Sequence, residues 1–383
     1  MGKKAAVAAI ACALGITLVA GFFPQTREGW PFVLVWTGII VIAGLVAIGR
    51  FRRFKAKEIP FLLNHLGVFV AIATATLGSA HVQKLKMTVY YENPQWRALS
   101  HDEEVVEPGI TIELHQFTAD YYEDGAPKRF ASDISVYTED GKNLRGTVEV
   151  NKPLKVNGWK IYQYGYDNAM GSKSHYSVLM LVKDPWLPAV YCGIFLMLSG
   201  AVSLLFFRQA PQRKWVLLSA LLLTGFFTFL TISRMGPSAK ALPPALQSPW
   251  FIPHLVVYMA GYALLATATV LSVYQLIRKK DAQMPLTDNL VYVGLAFLTF
   301  GMLFGALWAK EAWGHYWTWD PKETWAAITW LCCLLYIHFR ALRPGEWRKA
   351  CWILLLAFVC LQFCWWGINY LPSARGLSTH IYM

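Results

Sequence analysis

The fold class of this chain is decided by the stretch Pro31-Phe32-Val33-Leu34-Val35-Trp36-Thr37-Gly38-Ile39-Ile40-Val41-Ile42-Ala43-Gly44-Leu45-Val46-Ala47-Ile48-Gly49-Arg50. Its only charged residue is the last one, and as an α-helix it is about 30 Å long, which matches the hydrocarbon core of a bilayer. Comparable apolar segments recur throughout the 383 residues. The sequence therefore predicts a polytopic α-helical membrane protein with nine transmembrane helices, at approximately residues 5–23, 31–50, 60–80, 186–207, 215–232, 254–277, 288–308, 324–342 and 350–371.

The composition excludes several other classes of protein. Hydrophobic residues make up 56% of the chain and charged residues 15%, whereas ordinary soluble domains carry roughly 25% charged residues. All seven cysteines lie in apolar segments, and no Cys-x-x-Cys occurs. A soluble enzyme, a disordered chain and a disulfide-stabilised scaffold are therefore excluded.

The basic residues of the short loops predict the orientation of the spans. With the N-terminus inside, the inner segments hold 17 Lys and Arg and the short outer segments hold 6, so we expect the N-terminus in the cytoplasm and the C-terminus outside. The first span ends in Phe22-Phe23-Pro24-Gln25, which lacks a signal-cleavage pattern, and we expect it to be retained as an anchor. The net charge of +12 then describes a basic collar that faces anionic lipid, and nucleic acid is not an expected partner.

Residues 81–185 are the one long polar segment, and the orientation places them outside the membrane. They hold 12 Lys and Arg against 15 Asp and Glu. Apolar and polar residues alternate at Gly109–Leu114 and at Ile134–Tyr137, and Gly-containing turns follow at 123–125 and 139–141. This pattern predicts an inserted, mostly β extracytoplasmic domain between the third and fourth spans.

Four histidines form two pairs at matched depth. His65 lies about five residues past the inner start of the third span, and His338 lies two residues before Arg340 at the inner end of the eighth. His254 opens the sixth span on the outer side, where His380 lies in the C-terminal tail. Each pair could ligate one haem iron from both sides, because imidazole is a haem ligand and is costly to bury in lipid unused. The alternative is that each histidine hydrogen-bonds a neighbouring helix or reaches the interface.

The remaining histidines have weaker claims to a haem. His81, at the outer end of the third span, could compete for the external role. His315 adjoins a tryptophan-rich segment and is expected to be hydrogen-bonded or solvated. His101, His115 and His175 lie in the polar insertion and are expected to be surface residues.

The tryptophan-rich segment, residues 308–325, connects the seventh and eighth spans on the outer side and holds five Trp. An interfacial aromatic belt accounts for one or two of them. The dense block favours a stacking shelf for a large flat apolar ligand such as a porphyrin. Asp320 and Glu323 fit the N-terminal cap of the following helix, and Gly314 fits a tight turn or a close approach.

The run Trp313-Gly314-x-x-Trp317-x-Trp319-Asp320-Pro321-Lys322-Glu323-x-Trp325 resembles the WWD signature of haem-handling proteins in cytochrome c maturation. Residues 186–383 are similar to the CcsA/ResC half of system II cytochrome c synthases. Residues 1–80 and the insertion 81–185 resemble a compact ResB/CcsB half, through Leu63-Asn64-His65-Leu66-Gly67 and the stretch 151–167. The chain thus resembles a CcsBA-type fusion over nearly its whole length.

This resemblance implies a holocytochrome c synthase in the bacterial cytoplasmic (inner) membrane. Such an enzyme moves haem b across the membrane and attaches it through thioether bonds to Cys-x-x-Cys-His motifs of secreted apocytochrome c on the periplasmic face. The implied partners are haem, apocytochrome c, extracytoplasmic thiol-reducing proteins and membrane lipid. His65 and His338 match the intramembrane haem ligands, and His254 and His380 match the external axial ligands. The implied haem shelf comprises Trp313, Gly314, Trp317, Trp319, Asp320 and Trp325.

Two other functions are considered. A haem exporter or chaperone of the ABC-linked maturation pathway shares the tryptophan-rich segment but should lack the ResB-like insertion. An electron-transfer cytochrome b would usually carry two histidines at different depths on one helix, and no predicted span has that arrangement.

Overall fold

The computed structural model describes residues 3–52, 55, 58–206, 212–234 and 242–371. Within these residues, nine helices are long and apolar enough to cross a membrane, which confirms the predicted spans. They are α1 Lys3–Phe22, α2 Trp30–Phe51, α3 Ile59–Ser79, α4 Leu187–Phe206, α5 Arg213–Arg234, α6 Phe251–Arg278, α7 Met284–Trp313, α8 Pro321–Leu342 and α9 Trp347–Trp365.

Contacts between neighbouring helices define two ends of the helical part. At one end, Lys3 donates to the Ala341 carbonyl at 3.1 Å, and Arg213 donates to the Leu204 carbonyl at 3.2 Å. We call this the basic end. At the other end, residues 314–320 join α7 to α8, and β-strands join α3 to α4. We call this the sheet end.

The connection between α7 and α8 is shorter than predicted. The segment 308–325 was expected to be a loop, but α7 continues to Trp313 and α8 begins at Pro321. Lys310 and Glu311 extend α7 because both find partners on other elements. The ninth helix is also shorter than predicted, because a 3-10 turn at Gly367–Tyr370 follows its end at Trp365.

Between α3 and α4, the described chain forms nine strands in two antiparallel sheets. One sheet has the order β3-β2-β1-β9-β8-β7 and the other β4-β5-β6. Alternate side chains fill a shared core in which Met87, Ile112 and Ile161 are fully buried. The strands are β1 Gln83–Tyr90, β2 Ala98–Leu99, β3 Val105–Val106, β4 Ile110–Tyr121, β5 Pro127–Thr138, β6 Asn143–Glu149, β7 Leu154–Val156, β8 Trp159–Tyr166 and β9 Tyr176–Lys183.

The sheets are joined to the helices at the end of α7. The Lys310 ammonium lies 3.1 Å from Asp184, which follows β9, and both side chains are almost fully buried. The turn before α6 also contacts the sheets, because Asn151 donates to the Pro244 carbonyl at 2.7 Å. These contacts fix the strands against the segment that carries most of the predicted haem shelf.

Candidate functional site

His65 of α3 and His338 of α8 lie side by side towards the basic end. Their ring centroids are 6.2 Å apart, and the ring planes are inclined by 72°. Two imidazoles that each ligate one metal ion at about 2 Å have centroids about 6 Å apart. The centroid separation of the two rings is close to this value. The sequence predicts their matched depth and offers their pairing on one haem iron as one of two alternatives.

Backbone hydrogen bonds select the tautomer of both rings. His65 Nδ1 lies 2.9 Å from the Phe61 carbonyl, and His338 Nδ1 lies 2.8 Å from the Leu334 carbonyl. Because a carbonyl only accepts, each Nδ1 carries the proton and the lone pair of the neutral ring is on Nε2. A second-shell bond of this kind also orients a ligating ring. Nε2 is therefore the nitrogen of each ring that has a lone pair able to coordinate a metal ion.

Phe61 contacts the histidine pair and was not predicted from the sequence as a site residue. Its ring stacks on His65, with centroids 3.9 Å apart and planes inclined by 20°. The Arg50 guanidinium lies 5.0 Å from the Phe61 ring centroid, and Arg50 also pairs with Glu58 at 3.3 Å. The i, i+4 spacing of Phe61 and His65 was a usable signal, since such residues are neighbours on a helix face.

His254 lies in the first turn of α6, at the sheet end. Its Nδ1 donates to the Gly301 carbonyl of α7 at 2.8 Å, and its ring is edge-on to Tyr258 with centroids 4.9 Å apart. Gly305 leaves room for the ring, because a Cβ there would lie 2.9 Å from the imidazole. His254 and Trp317 both line a cavity of about 320 Å³. The other predicted external ligand, His380, lies outside the described residues.

Two other histidines lie at the sheet end. His315 stacks on Trp313, with ring centroids 6.2 Å apart and planes inclined by 13°. His81 is exposed at the end of α3, with its ring centroid 5.9 Å from that of Trp186. Of these two, His315 lines a cavity together with Trp317.

Trp317 and Trp319 form the open part of the predicted shelf. Their rings meet edge to face, with centroids 5.5 Å apart. Trp319 also contacts Phe32 and Trp36 of α2, at 5.2 and 5.1 Å between centroids. Both Trp317 and Trp319 line a large cavity of about 1360 Å³, and Trp317 also lines the smaller one beside His254. Aromatic faces at a cavity wall suit a flat apolar ligand.

The backbone at Trp319 is held in an unusual conformation. Its φ of 58° is left-handed, which costs about 1–3 kcal/mol for a residue with a side chain. The Thr324 hydroxyl donates to the Trp319 carbonyl at 2.9 Å and holds that peptide in place. Residues held in such strained backbone conformations cluster at functional sites.

Asp320 caps α8, as its position in the sequence suggested. One Asp320 oxygen accepts from the Glu323 amide at 2.8 Å, and Glu323 accepts from the Asp320 amide at 3.2 Å. Glu323 also accepts from the Thr318 amide at 2.7 Å. This capping box fixes the turn that carries Trp319.

Trp325 does not belong to the open shelf. It is 1% exposed, and its ring stacks on Phe363 and meets the edge of Phe22, at 4.6 and 5.1 Å between centroids. The reason is helical, since α8 begins at Pro321 and turns Trp325 towards α1 and α9. Trp325 therefore lies in the helical core, and its part in a ligand shelf stays a prediction.

Trp313 and Gly314 mark the end of α7. The Trp313 ring lies against Trp308, with centroids 5.4 Å apart. Gly314 has a φ of 79°, and a Cβ there would lie 3.0 Å from Tyr162 and from Val182. Gly314 therefore ends the helix and permits its close approach to β8 and β9.

The large cavity lies in the sheet-end half of the helical part. It extends from Ala71 of α3 and Met197 of α4 to Lys84 and Lys183 on the strands. Ala71 is six residues beyond His65, or about 9 Å along the helix axis. A Cβ at Gly67 would lie 2.7 Å from the Met197 amide nitrogen, so the two helices are in close contact between the histidine pair and the cavity.

Comparison with known proteins relates the chain to two families. Residues 186–374 match the family described as Cytochrome C assembly protein, and residues 52–175 match the ResB-like family. Three curated relatives are named cytochrome c biogenesis protein CcsA. The one from Chlamydomonas reinhardtii is 37% identical over 203 residues, or 50% of this chain and 57% of the relative. The one from Mesostigma viride is 33% identical over 198 residues (42% and 64%), and the one from Welwitschia mirabilis is 33% identical over 214 residues (45% and 68%). The chain thus spans 57 to 68% of the length of these relatives.

Proposed function

We propose that this chain, a CcsBA-type fusion of system II, is a holocytochrome c synthase. It belongs to the cytochrome c assembly family and also carries a ResB-like segment. Its substrates are haem b and the Cys-x-x-Cys-His segment of a secreted apocytochrome c. The orientation of the basic loops supports a cytoplasmic membrane location, with attachment on the sheet-end side.

The observation that carries this proposal is the contact between His65 and His338. His65 lies within the ResB-like match and His338 within the cytochrome c assembly match. Their rings, 6.2 Å apart, are spaced to hold one iron. We call a proposed haem-binding site a haem station. A haem station built from residues of both families in one chain favours a synthase over a haem exporter or chaperone that lacks the ResB-like part.

A second haem station is proposed at the sheet end. His254 supplies one axial ligand there, and Trp317 and Trp319 supply aromatic faces. The resemblance assigns the second axial position to His380. The indole N–H of Trp36 is buried beside Trp319 without a partner among the described residues, and it offers a donor to a polar group of the ligand.

The chemistry at that station would use the nucleophiles of the substrate. Each apocytochrome thiol adds across one haem vinyl group, so that a carbon–sulfur bond forms and the thiol proton passes to the other vinyl carbon. The residues of this chain orient the haem edge and exclude water. The entropy lost in orienting the haem is therefore lost when haem binds and not when the thiols react. One axial histidine then yields to the histidine of the Cys-x-x-Cys-His segment, which assists release.

Co-expression tests this proposal. The full-length chain is produced with a Cys-x-x-Cys-His apoprotein in a host that has no maturation system of its own, and haem is stained after denaturing electrophoresis. A synthase gives haem covalently bound to the apoprotein, and replacement of His65 and His338 by Ala abolishes it. Haem that co-purifies with the chain but never attaches to the apoprotein would instead identify a carrier.

A further inference from the structure

Asp288, in the second turn of α7, binds α8 on both sides of His338. The Tyr336 hydroxyl donates to an Asp288 oxygen at 2.8 Å. Arg340 donates from Nε and Nη2 to the two oxygens at 3.0 and 2.9 Å, which is a paired, fork-like geometry. The Arg340 and Asp288 side chains are 15% and 21% exposed, so this contact is largely shielded from water.

The direction of this contact matters for His338. Tyr336 and Arg340 are four residues apart and share one face of α8, whereas His338 lies about 200° around the axis from each of them. The bonds to Asp288 therefore hold the face of α8 that carries Tyr336 and Arg340 against α7. His338 lies on the opposite face of α8, away from α7. That is the side on which it meets His65.

Glu311, near the other end of α7, binds the turn that leads into α6. One of its oxygens accepts from the Ser248 hydroxyl at 3.0 Å, and the other accepts from the Trp250 indole N–H at 3.1 Å. His254 follows Trp250 by one helical turn and donates to the Gly301 carbonyl of the same helix, α7. The two bonds to Glu311 thus fix the start of α6 against α7. They thereby fix the position of His254 relative to α7.

From these contacts we infer that α7 aligns both haem stations through two positioning residues, Asp288 for His338 and Glu311 for His254. The inference rests on the proposed function, because the stations are defined by the haem they hold. The two carboxylates are 23 residues apart in sequence, which is about 35 Å along the helix. Sites so far apart act independently, so each carboxylate should affect one station only.

The test uses the full-length chain in two backgrounds. His254→Ala leaves the station of His65 and His338, and the double replacement of His65 and His338 by Ala leaves the external station. Asp288→Ala and Glu311→Ala are introduced into each background. Each purified, monodisperse protein is loaded with added haem, so that filling of the external station does not depend on the inner one, and haem content and the visible and electron paramagnetic resonance spectra are recorded.

We expect Asp288→Ala to weaken haem retention about 10-fold or more in the first background, the size found for removal of a residue that orients a metal ligand. The remaining haem should change from a six-coordinate low-spin to a high-spin spectrum, and added imidazole should restore the low-spin spectrum. Asp288→Asn keeps one acceptor oxygen and should give an intermediate value. The same substitutions should leave the external station unchanged.

Glu311 should show the reverse pattern, with Glu311→Ala affecting only the external station and Glu311→Gln falling between it and the parent. Equal losses at both stations, or unchanged spectra in every variant, would overturn the inference while the parent still binds haem. A parent that binds no haem at all would instead overturn the proposed function, and the inference with it.

Discussion

At the scale of single residues, the three described histidines of the proposed stations make the same kind of hydrogen bond. His65, His338 and His254 each donate Nδ1–H to a backbone carbonyl, at 2.8 to 2.9 Å. The bond leaves Nε2 as the nitrogen with the lone pair and fixes the plane of the ring. Ligation would therefore require little reorganisation of the protein, provided that the space beside each ring is kept.

Replacement of Gly305 by Ala tests this requirement at His254. The added Cβ would lie 2.9 Å from the imidazole, so the ring must move. We expect about a 10-fold loss of haem at the external station and of covalent attachment. Gly225→Ala on α5 is the matched control, because nothing lies within 4 Å of its added Cβ. Equal activity in the two variants would show that the position of His254 is not critical.

At the scale of elements, the capping box of α8 determines how the tryptophan-rich turn is presented. Asp320 and Glu323 hold one another, and Thr318 donates to Glu323. These bonds frame Trp319, whose left-handed backbone would otherwise relax. The role of Asp320 in this account is therefore to cap the helix, and its charge need not meet the ligand.

Two substitutions of Asp320 separate the cap from a direct contact with haem. Asp320→Ala removes the cap and should cost about 1 kcal/mol of stability and reduce covalent haem attachment several-fold. Asp320→Asn caps a helix nearly as well and should retain most of both. Thermal unfolding in detergent and haem staining measure the two effects. A loss of attachment with Asn as large as with Ala would contradict the capping role.

Hydropathy was sufficient to predict the nine helices at this scale but not their ends. The ends of α7 and α8 depend on partners distant in sequence, such as Asp184 for Lys310 and Ser248 for Glu311. The same limit explains Trp325. The resemblance places Trp325 in the haem shelf, whereas the helix start at Pro321 turns its side chain into the helical core.

At the scale of the whole molecule, a buried ion pair links the strands to the tryptophan-rich turn. Lys310 and Asp184 are 3% and 4% exposed and lie 3.1 Å apart. Lys310 also donates to the Gly314 carbonyl at 3.1 Å. Asp184 accepts from the Trp186 amide at 3.2 Å, at the point where β9 leads into α4. Through these contacts, the position of the sheets sets the position of the turn.

Breaking this pair from one side should be costly. Lys310→Met leaves a buried carboxylate without its cation, and we expect a loss of about 3–5 kcal/mol of stability. The double variant Lys310→Met with Asp184→Asn should recover much of it, since Asn is neutral and can still accept from the Trp186 amide. Thermal unfolding in detergent measures both. A double variant no more stable than the single one would show that the unpaired carboxylate of Asp184 is not the cause of the loss.

Sequence alone located the inner histidines at one depth but could not place them in contact, because depth does not determine which helices are neighbours. The contact arises because α3 packs on α4, α4 packs on α7 and α7 packs on α8, and Asp288 and Arg340 take part in the last of these contacts. The sequence likewise predicts that His254 and His380 lie on the same outer side. The structure places His254 at a cavity wall, and His380 lies outside the described residues.

The central claim is that His65 and His338, from the two joined halves, hold one haem iron. Electron paramagnetic resonance of the oxidised haem that co-purifies with the full-length chain tests it most directly, with His254 and His380 replaced by Ala so that only the inner pair remains. The account predicts a low-spin signal of two axial imidazoles, converted to a high-spin signal by replacement of either His65 or His338. A low-spin signal that persists when His338 is replaced would contradict it.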